Sequence, residues 1–201
     1  KKGPEVEPPT STLWCLFLLA QLEEYRGAYE EAIALLDRCI AHTPTAVDLY
    51  ERRARCMKKA GDVAGAAEQM DTARKLDLAD RYINNKTTKY LLRAGQREQA
   101  MDTIGLFTRH EGDPALNLRD MQVMWVENEY GYSALRAKKH GPALKKFLMV
   151  EQHFSDFLDD MFDFHSYCLR KMTLRAYVGC LRMTEGVASH KFYQRAALGA
   201  V

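Results

Sequence analysis

The chain has 201 residues, enough for one or two domains. Its 29 basic and 27 acidic side chains give a formal net charge of +2, which excludes a polycationic tail and an acidic disordered segment. Hydrophobic residues make up 47% and charged residues 28%, as in ordinary folded domains. Ala and Leu far outnumber the β-branched Val and Ile, so the composition favours helices over sheet.

The apolar and cysteine patterns narrow the class further. The longest apolar run covers residues 13–20, which is too short to cross a bilayer, and we expect no membrane partner. The five cysteines are odd in number and include no Cys-x-x-Cys pair. We therefore expect reduced, mostly buried thiols in the cytosol rather than disulfides or a zinc site. The chain starts with Lys1 and ends inside a predicted helix, so we expect a piece of a longer protein.

A period of 34 residues runs through the first half of the chain. Three columns share it: Gly27, Gly61 and Gly95; Ala32, Ala66 and Ala100; Leu36, Met70 and Ile104. Small residues at fixed offsets with this period are typical of tetratricopeptide repeats, in which each unit is a pair of antiparallel helices. The glycines should end the first helix of each pair. We predict an all-α fold, a tetratricopeptide-repeat helical solenoid with a right-handed superhelix, and the columns disfavour a generic helical bundle.

The predicted elements follow in chain order. The proline-rich residues 1–11 should be irregular. Three tetratricopeptide helix pairs are expected over 12–110, namely 12–25 with 28–41, 46–59 with 62–75, and 80–93 with 96–109. Longer helices of the same kind, truncated at the C-terminus, are expected over 111–201, namely 117–137 with 140–154, then 159–182, and a last one from 188. Asp159 and Asp160 should cap the start of the 159–182 helix.

Basic side chains recur in phase with the repeat. Lys86, Lys89 and Arg93 share one helix face, because residues three, four and seven apart are neighbours on a helix. Their counterparts 34 residues earlier are Arg52, Arg55 and Lys59. The first helix of each pair lines the concave face of such arrays. We see no acid between residues 82 and 92, and expect a neutral first pair at Leu18, Gln21 and Tyr25. The sequence therefore predicts a basic pocket for a compact polyphosphate, an acidic peptide, a terminal carboxylate or RNA.

Other charged and reactive groups give weaker signals. The basic stretches 136–146 and 170–182 could contact RNA at the ribosome, although most charge runs are solvated surface. No phosphate-binding Gly loop, His-Glu-x-x-His or Gly-x-Ser-x-Gly motif is present, so we expect no enzyme activity and no metal site in this chain. We interpret His165, near the aspartates at 159, 160 and 163, as a packing residue, and Cys168 as a buried thiol.

Four sequence blocks from residue 80 onward carry a resemblance to a known family. They are DRYIN at 80–84 with Lys86, Lys89 and Tyr90; MQVMW at 121–125; GPALKK at 141–146 with EQHF at 151–154; and DFHSYCLRKMTLRAYV at 163–178. Together these blocks resemble the large auxiliary subunit of the NatA amino-terminal acetyltransferase. Residues 12–79 fit the same family with weaker motifs. The family's proteins are several times longer, so the resemblance implies a central segment.

The resemblance implies a function for the whole protein. Such a subunit is a tetratricopeptide superhelix that wraps a small catalytic subunit of the GNAT fold, shapes its active site and helps to dock this cytoplasmic hetero-oligomer on the ribosome. Acetyl-CoA and the chemistry belong to the partner, and no cofactor is intrinsic. Members also hold inositol hexakisphosphate in a basic pocket. Lys86, Lys89, Tyr90 and Arg109 match that pocket, whereas the remaining cations rest on the charge pattern alone.

The residues leave one main alternative open. The same cations could clamp an acidic or carboxylate-terminated peptide, as in tetratricopeptide adaptors linked to chaperones.

Overall fold

The structure of the chain is a computed structural model that describes residues 9–108 and 112–201, apart from the side chains of residues 9 and 162–164. The chain divides into two compact units, Lys1–Phe107 and Thr108–Val201. Over the described ranges all regular structure is helical, without a strand. No helix in these ranges is both long and apolar enough to span a membrane.

The first unit contains six helices. They are α1 (Pro9–Arg26), α2 (Tyr29–His42), α3 (Val47–Ala60), α4 (Val63–Leu76), α5 (Arg81–Arg93) and α6 (Arg97–Gly105). Each helix packs against the next one along the chain, which gives three helix pairs at the predicted places. The predicted fold class, an all-α tetratricopeptide-repeat solenoid, is confirmed.

The start of α1 differs from the sequence prediction. Residues 9–11 are helical, although we predicted an irregular segment over 1–11, of which residues 1–8 lie outside the described part. Proline is well tolerated in the first turn of a helix, because its missing N–H would have no partner there.

The residues of the repeat columns occupy the turns and the helix contacts that their residue types indicate. Gly27, Gly61 and Gly95 have φ angles of 85°, 100° and 82° at the turns inside the three pairs. This left-handed backbone costs glycine least. The alanine and aliphatic columns are buried, so neighbouring helices approach closely along them.

The second unit contains helices of unequal length. They are α7 (Pro114–Asp120), α8 (Met124–Arg136), α9 (His140–Arg170), α10 (Leu174–Thr184) and α11 (Lys191–Ala200), with a 3₁₀ turn at Val187–Ser189 before α11. Helices α8, α9 and α11 pack against one another, and α10 packs on α9.

Three helix boundaries predicted for this unit are wrong. The single helix expected over 117–137 is interrupted at Gln122, whose φ is 51°. The break expected between 154 and 159 is absent, because residues 155–158 contain neither Gly nor Pro and α9 runs through them. Asp159 and Asp160 therefore lie inside α9 and cap no helix. The real break is at Met172, with a φ of 56°.

Phe147 is the centre of the core of the second unit. Its ring is buried and meets the Tyr132 ring edge-on at 5.2 Å between centroids. Gly131 of α8 and Gly199 of α11 lie against the same ring, and a Cβ at position 131 would come within 2.5 Å of a ring carbon. Both glycines are therefore required by close approach of backbone and ring, since a side chain there would overpack the core.

Replacing Gly131 should test this packing. We expect Gly131→Ala to destabilise the chain by up to about 2 kcal/mol, because an overpacking cost of about 1–3 kcal/mol exceeds the gain in helix propensity of about 1 kcal/mol. Gly179→Ala in α10 is the matched control, since a Cβ there meets nothing within 4 Å. It should be neutral or slightly stabilising. Urea unfolding followed by circular dichroism measures both, and equal effects of the two substitutions would contradict the packing described.

Candidate functional site

A cavity of about 520 Å³ opens on the first unit between α1, α3 and α5. Its volume lies in the range of small-molecule sites, roughly 300–1,000 Å³. We name this cavity the basic pocket. It is lined by Phe17, Asp48, Glu51, Arg52, Arg55, Lys58, Lys59, Tyr82, Lys86, Lys89, Tyr90 and Arg93. Side chains three and four residues apart on α3 and α5 face the same space, so the repeat places two rows of cations opposite each other.

Seven of the eight predicted site residues meet in the basic pocket. Arg52, Arg55, Lys59, Lys86, Lys89, Tyr90 and Arg93 all line it. The eighth, Arg109, lies outside the described residues. Tyr90 is nearly buried and supplies an aromatic wall, with the Lys58 Nζ atom 5.5 Å from its ring centroid. A role of these residues in ligand binding stays a prediction.

A buried carboxylate from α1 holds the cations of α3. Glu24 is only 3% exposed. Its Oε2 atom accepts a hydrogen bond from Arg52 Nη1 at 2.9 Å. Its Oε1 atom lies 2.6 Å from Arg55 Nε and 2.8 Å from Lys59 Nζ. One carboxylate thus offsets the repulsion among three guanidinium and ammonium groups.

The expectation of a neutral wall in the first pair is therefore wrong. Leu18 and Tyr25 are exposed and lie outside the pocket lining. Gln21 takes part, accepting a hydrogen bond from Arg52 Nη2 at 3.3 Å. The acid missed by the sequence argument is Glu24, which lies three residues after Gln21 and so shares its helix face.

The cations of α5 also have an acidic neighbour, contrary to the sequence expectation. The Glu51 Oε1 atom of α3 lies 3.8 Å from Lys86 Nζ and accepts a hydrogen bond from the Tyr82 hydroxyl at 2.8 Å. Asp48 lines the same rim. The acid comes from the neighbouring helix rather than from α5 itself, so the sequence of α5 does not reveal it.

The pKa shifts reflect this mixture of charges. Burial would raise the pKa of the Glu24 carboxyl, but hydrogen bonds from Lys59 and Arg52 and the charge of Arg55 outweigh burial and lower it. Burial lowers the pKa of the Lys58 ammonium, and repulsion from Arg93 and other nearby cations lowers it further. Positive potential is therefore concentrated at Lys58, a residue that the sequence argument did not single out although it lies three residues after Arg55.

The thiol closest to these charges is not activated by them. Burial raises the pKa of Cys56 to about 11, and Glu24 adds to the rise, so the nearby cations do not produce a thiolate. All five cysteines are free, and Cys39, Cys56 and Cys168 are buried.

The pocket itself offers hydrogen-bond donors and positive charge, a chemistry suited to holding an anion.

We predicted no metal site for the aspartates near His165, and interpreted His165 as a packing residue. No group of three or more His, Cys, Asp or Glu side chains in the described part of the chain could hold a metal ion. The side chain of Asp163 lies outside the description. Cys168 is buried and donates a weak hydrogen bond to the carbonyl oxygen of His165 at 3.4 Å.

The fold and the pocket together define a helical-repeat protein that carries a cavity lined by basic side chains on the first helices of its pairs. The family model "N-terminal acetyltransferase A, auxiliary subunit" matches residues 1–201. The chain belongs to this family of auxiliary subunits, and the resemblance of its sequence blocks to that family is confirmed.

Known proteins support this assignment. The chain is 50% identical over 195 residues to the N-terminal acetyltransferase A complex auxiliary subunit NAA15 of Arabidopsis thaliana, covering 97% of this chain and 22% of that protein. It is 46% identical over 198 residues to the NatA auxiliary subunit N-alpha-acetyltransferase 16 of Mus musculus, covering 98% of this chain and 23% of the relative. The chain thus spans less than a quarter of the length of these relatives.

A solved structure resembles the chain as well. In the structure of Naa15/Naa10 bound to HypK-THB, one chain superposes on it with a TM-score of 0.87 at 43% identity. The superposition covers 91% of this chain and 28% of that chain.

Removing the buried carboxylate should destabilise the first unit. We expect Glu24→Gln to cost about 1–3 kcal/mol at pH 7, less than a fully buried ion pair, because Arg55 and Lys59 still reach water. The neighbouring Glu23→Gln, which removes only a surface pair with Arg26 at 3.1 Å, should cost under about 0.5 kcal/mol. Urea unfolding of both variants at pH 7 measures the difference.

The cost should depend on pH. The folded pKa of Glu24 is below its ordinary value of 4.5, so its stabilisation is present above that value and is lost as the pH falls through the folded pKa. The gap between the wild type and Glu24→Gln should be constant from pH 6 to 8, and narrow only below about pH 4.5. A gap that widens on acidification would contradict the ion pairs described.

Proposed function

We propose that this chain is part of a non-catalytic auxiliary subunit that binds and shapes the catalytic GNAT subunit of a NatA-like N-terminal acetyltransferase. The observation that carries this proposal is the match of the whole chain to the auxiliary-subunit family. Catalysis and acetyl-CoA binding then belong to the partner. We place the complex in the cytoplasm, acting on nascent chains at the ribosome.

The fold suits a scaffold. Stacked helix pairs are held by contacts between neighbouring repeats, and such arrays characteristically present extended surfaces for binding other proteins. The solved structure that resembles this chain contains Naa15 together with Naa10, which supports a catalytic partner for this chain too. The peptide-clamping adaptor is not favoured, because the family match and the relatives named above all indicate an acetyltransferase auxiliary subunit.

Association with a catalytic subunit is the direct test. We expect the full-length auxiliary subunit to form a stable complex with its cognate small subunit, and to increase acetylation of peptides that begin with Ser or Ala. Size-exclusion chromatography and a peptide acetylation assay measure the two effects. If the full-length protein neither associates nor changes the acetylation rate, the proposed scaffold role is wrong.

For the basic pocket we propose inositol hexakisphosphate as a structural ligand. Lys58, Lys86 and Lys89 present ammonium groups to one cavity, and each charge-assisted hydrogen bond to phosphate contributes about 1.5–3 kcal/mol. Glu24 and Glu51 already engage part of the positive charge, so the pocket favours an anion with many charges over a monoanion. The arginines retain further N–H donors, since a guanidinium carries five.

Charge reversal on α5 should remove this ligand effect. We expect inositol hexakisphosphate to raise the melting temperature of the wild type by several degrees, since a ligand at 100 times its Kd adds about 2.7 kcal/mol. Lys86→Glu with Lys89→Glu should abolish the shift while the helix content stays intact. Differential scanning fluorimetry and circular dichroism measure both properties.

A second double variant controls for net charge. Arg38 and Arg81 are exposed and lie outside the pocket lining, so Arg38→Glu with Arg81→Glu should keep the shift. If the ligand-dependent shift survives in the Lys86/Lys89 variant, the ligand does not bind in the basic pocket.

A further inference from the structure

A second concave surface lies on the other unit, and it shares no residue with the basic pocket. It is a groove of about 940 Å³ along α7, α8 and α9. We name it the α9 groove. Its lining combines exposed leucines, Leu116, Leu144 and Leu148, with basic side chains, Arg119, Lys145 and Lys146. The predicted anion site includes none of these residues.

The three leucines of the groove are all exposed. Leu144 and Leu148 are one helical turn apart on α9 and are 44% and 53% exposed, and Leu116 of α7 is 58% exposed. Single exposed leucines are common on protein surfaces, but several that line one groove are typical of a protein interaction site. Exposed apolar surface of this kind gains free energy when a partner covers it.

The lysines of the groove carry positive charge that is available to a ligand. The Lys146 Nζ atom lies 5.6 Å from the Tyr130 ring centroid, and within the described part of the chain neither Lys145 nor Lys146 forms an ion pair. Burial lowers the pKa of the Lys146 ammonium, and Lys145 lowers it further, whereas Glu127 and Asp113 raise it. A carboxylate brought into the groove would favour the charged form of Lys146.

The acidic member of the lining is already engaged. The Asp113 carboxylate accepts a hydrogen bond from the Ala115 N–H at 2.9 Å, which caps the start of α7. The Asp113 carboxylate therefore stabilises the N-terminus of α7. The three cations Arg119, Lys145 and Lys146 make the electrostatic potential of the groove positive.

We propose that the α9 groove docks an acidic amphipathic helix of a partner protein. The lining of α9 runs from Gly141 to Gln152, which corresponds to roughly 17 Å at 1.5 Å per residue, or three turns of a docked helix. Apolar side chains at positions i, i+3, i+4 and i+7 of that helix would cover the leucines, and flanking carboxylates would meet the three cations. Charge complementarity and the exposed leucines thus specify the same occupant.

RNA fits this groove less well than an acidic helix. Single-stranded nucleic acids are held by cations together with aromatic side chains on which bases stack. The aromatic ring of the groove, Tyr130, is covered by the Lys146 ammonium, and the leucines offer no stacking surface. RNA binding is therefore the competing outcome of the test below.

Fluorescence anisotropy with designed probes tests the proposal on the full chain. The probe is a labelled 16-residue helical peptide with Leu at i, i+3, i+4 and i+7 and Glu on both flanks. We expect it to bind, and the same peptide with Lys in place of Glu, or with Ala in place of Leu, to bind at least about tenfold more weakly. Lys145→Glu and Leu148→Ser should each weaken binding of the first peptide at least about fivefold.

Matched variants on the same unit separate the groove from general charge and hydrophobicity. Lys139→Glu changes the charge equally, and Leu158 is a 46% exposed leucine of α9 outside the groove. Lys139→Glu and Leu158→Ser should bind the probe like the wild type. The proposal is overturned if the acidic probe does not bind, or if these controls weaken binding as much as the groove variants. It is also overturned if a single-stranded RNA decamer binds better than the probe and depends on Lys145 but not on Leu148.

Discussion

The buried carboxylate of Glu24 is the interaction on which the first unit depends. It joins α1 to three cations of α3, and it therefore ties the first helix pair to the second across their inner faces. Without a carboxylate there, Arg52, Arg55 and Lys59 would repel one another at close range, and the two pairs would lose a polar anchor that complements the apolar Ala and Leu columns. The pocket can carry so much positive charge because this one acid, almost removed from water, offsets part of it.

The sequence predicted the first unit far better than the second, and the reason is physical. Gly27, Gly61 and Gly95 need left-handed backbone, and the alanine columns need close helix approach, so both requirements are visible as residue types at a fixed period. The boundaries in the second unit depend on Gln122 and Met172, which adopt left-handed backbone at a cost of about 1–2 kcal/mol. Neither residue type signals a break, and only the packing of the surrounding helices reveals it.

The sequence also predicted only part of the candidate site, namely its cations and not its acids. The cations could be predicted because helical spacing and the repeat period place them on one surface, and the structure brings Lys86 and Lys89 together with Arg52 and Arg55. The acids could not be found by comparing positions 34 residues apart, because Glu24 and Glu51 pair across helices rather than along them. Applying the three- and four-residue spacing to acids as well as to bases would have identified both.

The two rows of cations stand on successive first helices, and this arrangement couples the pocket to the bending of the array. The separation between the rows depends on the angle between neighbouring pairs, and it changes most at the inner surface. A polyanion that binds both rows would fix the angle between the two helix pairs. A binding partner that altered this angle would change the affinity of the pocket for the polyanion. By linkage, the polyanion would change the affinity for that partner by the same factor. Occupancy of the pocket would therefore depend on the curvature of the repeat array.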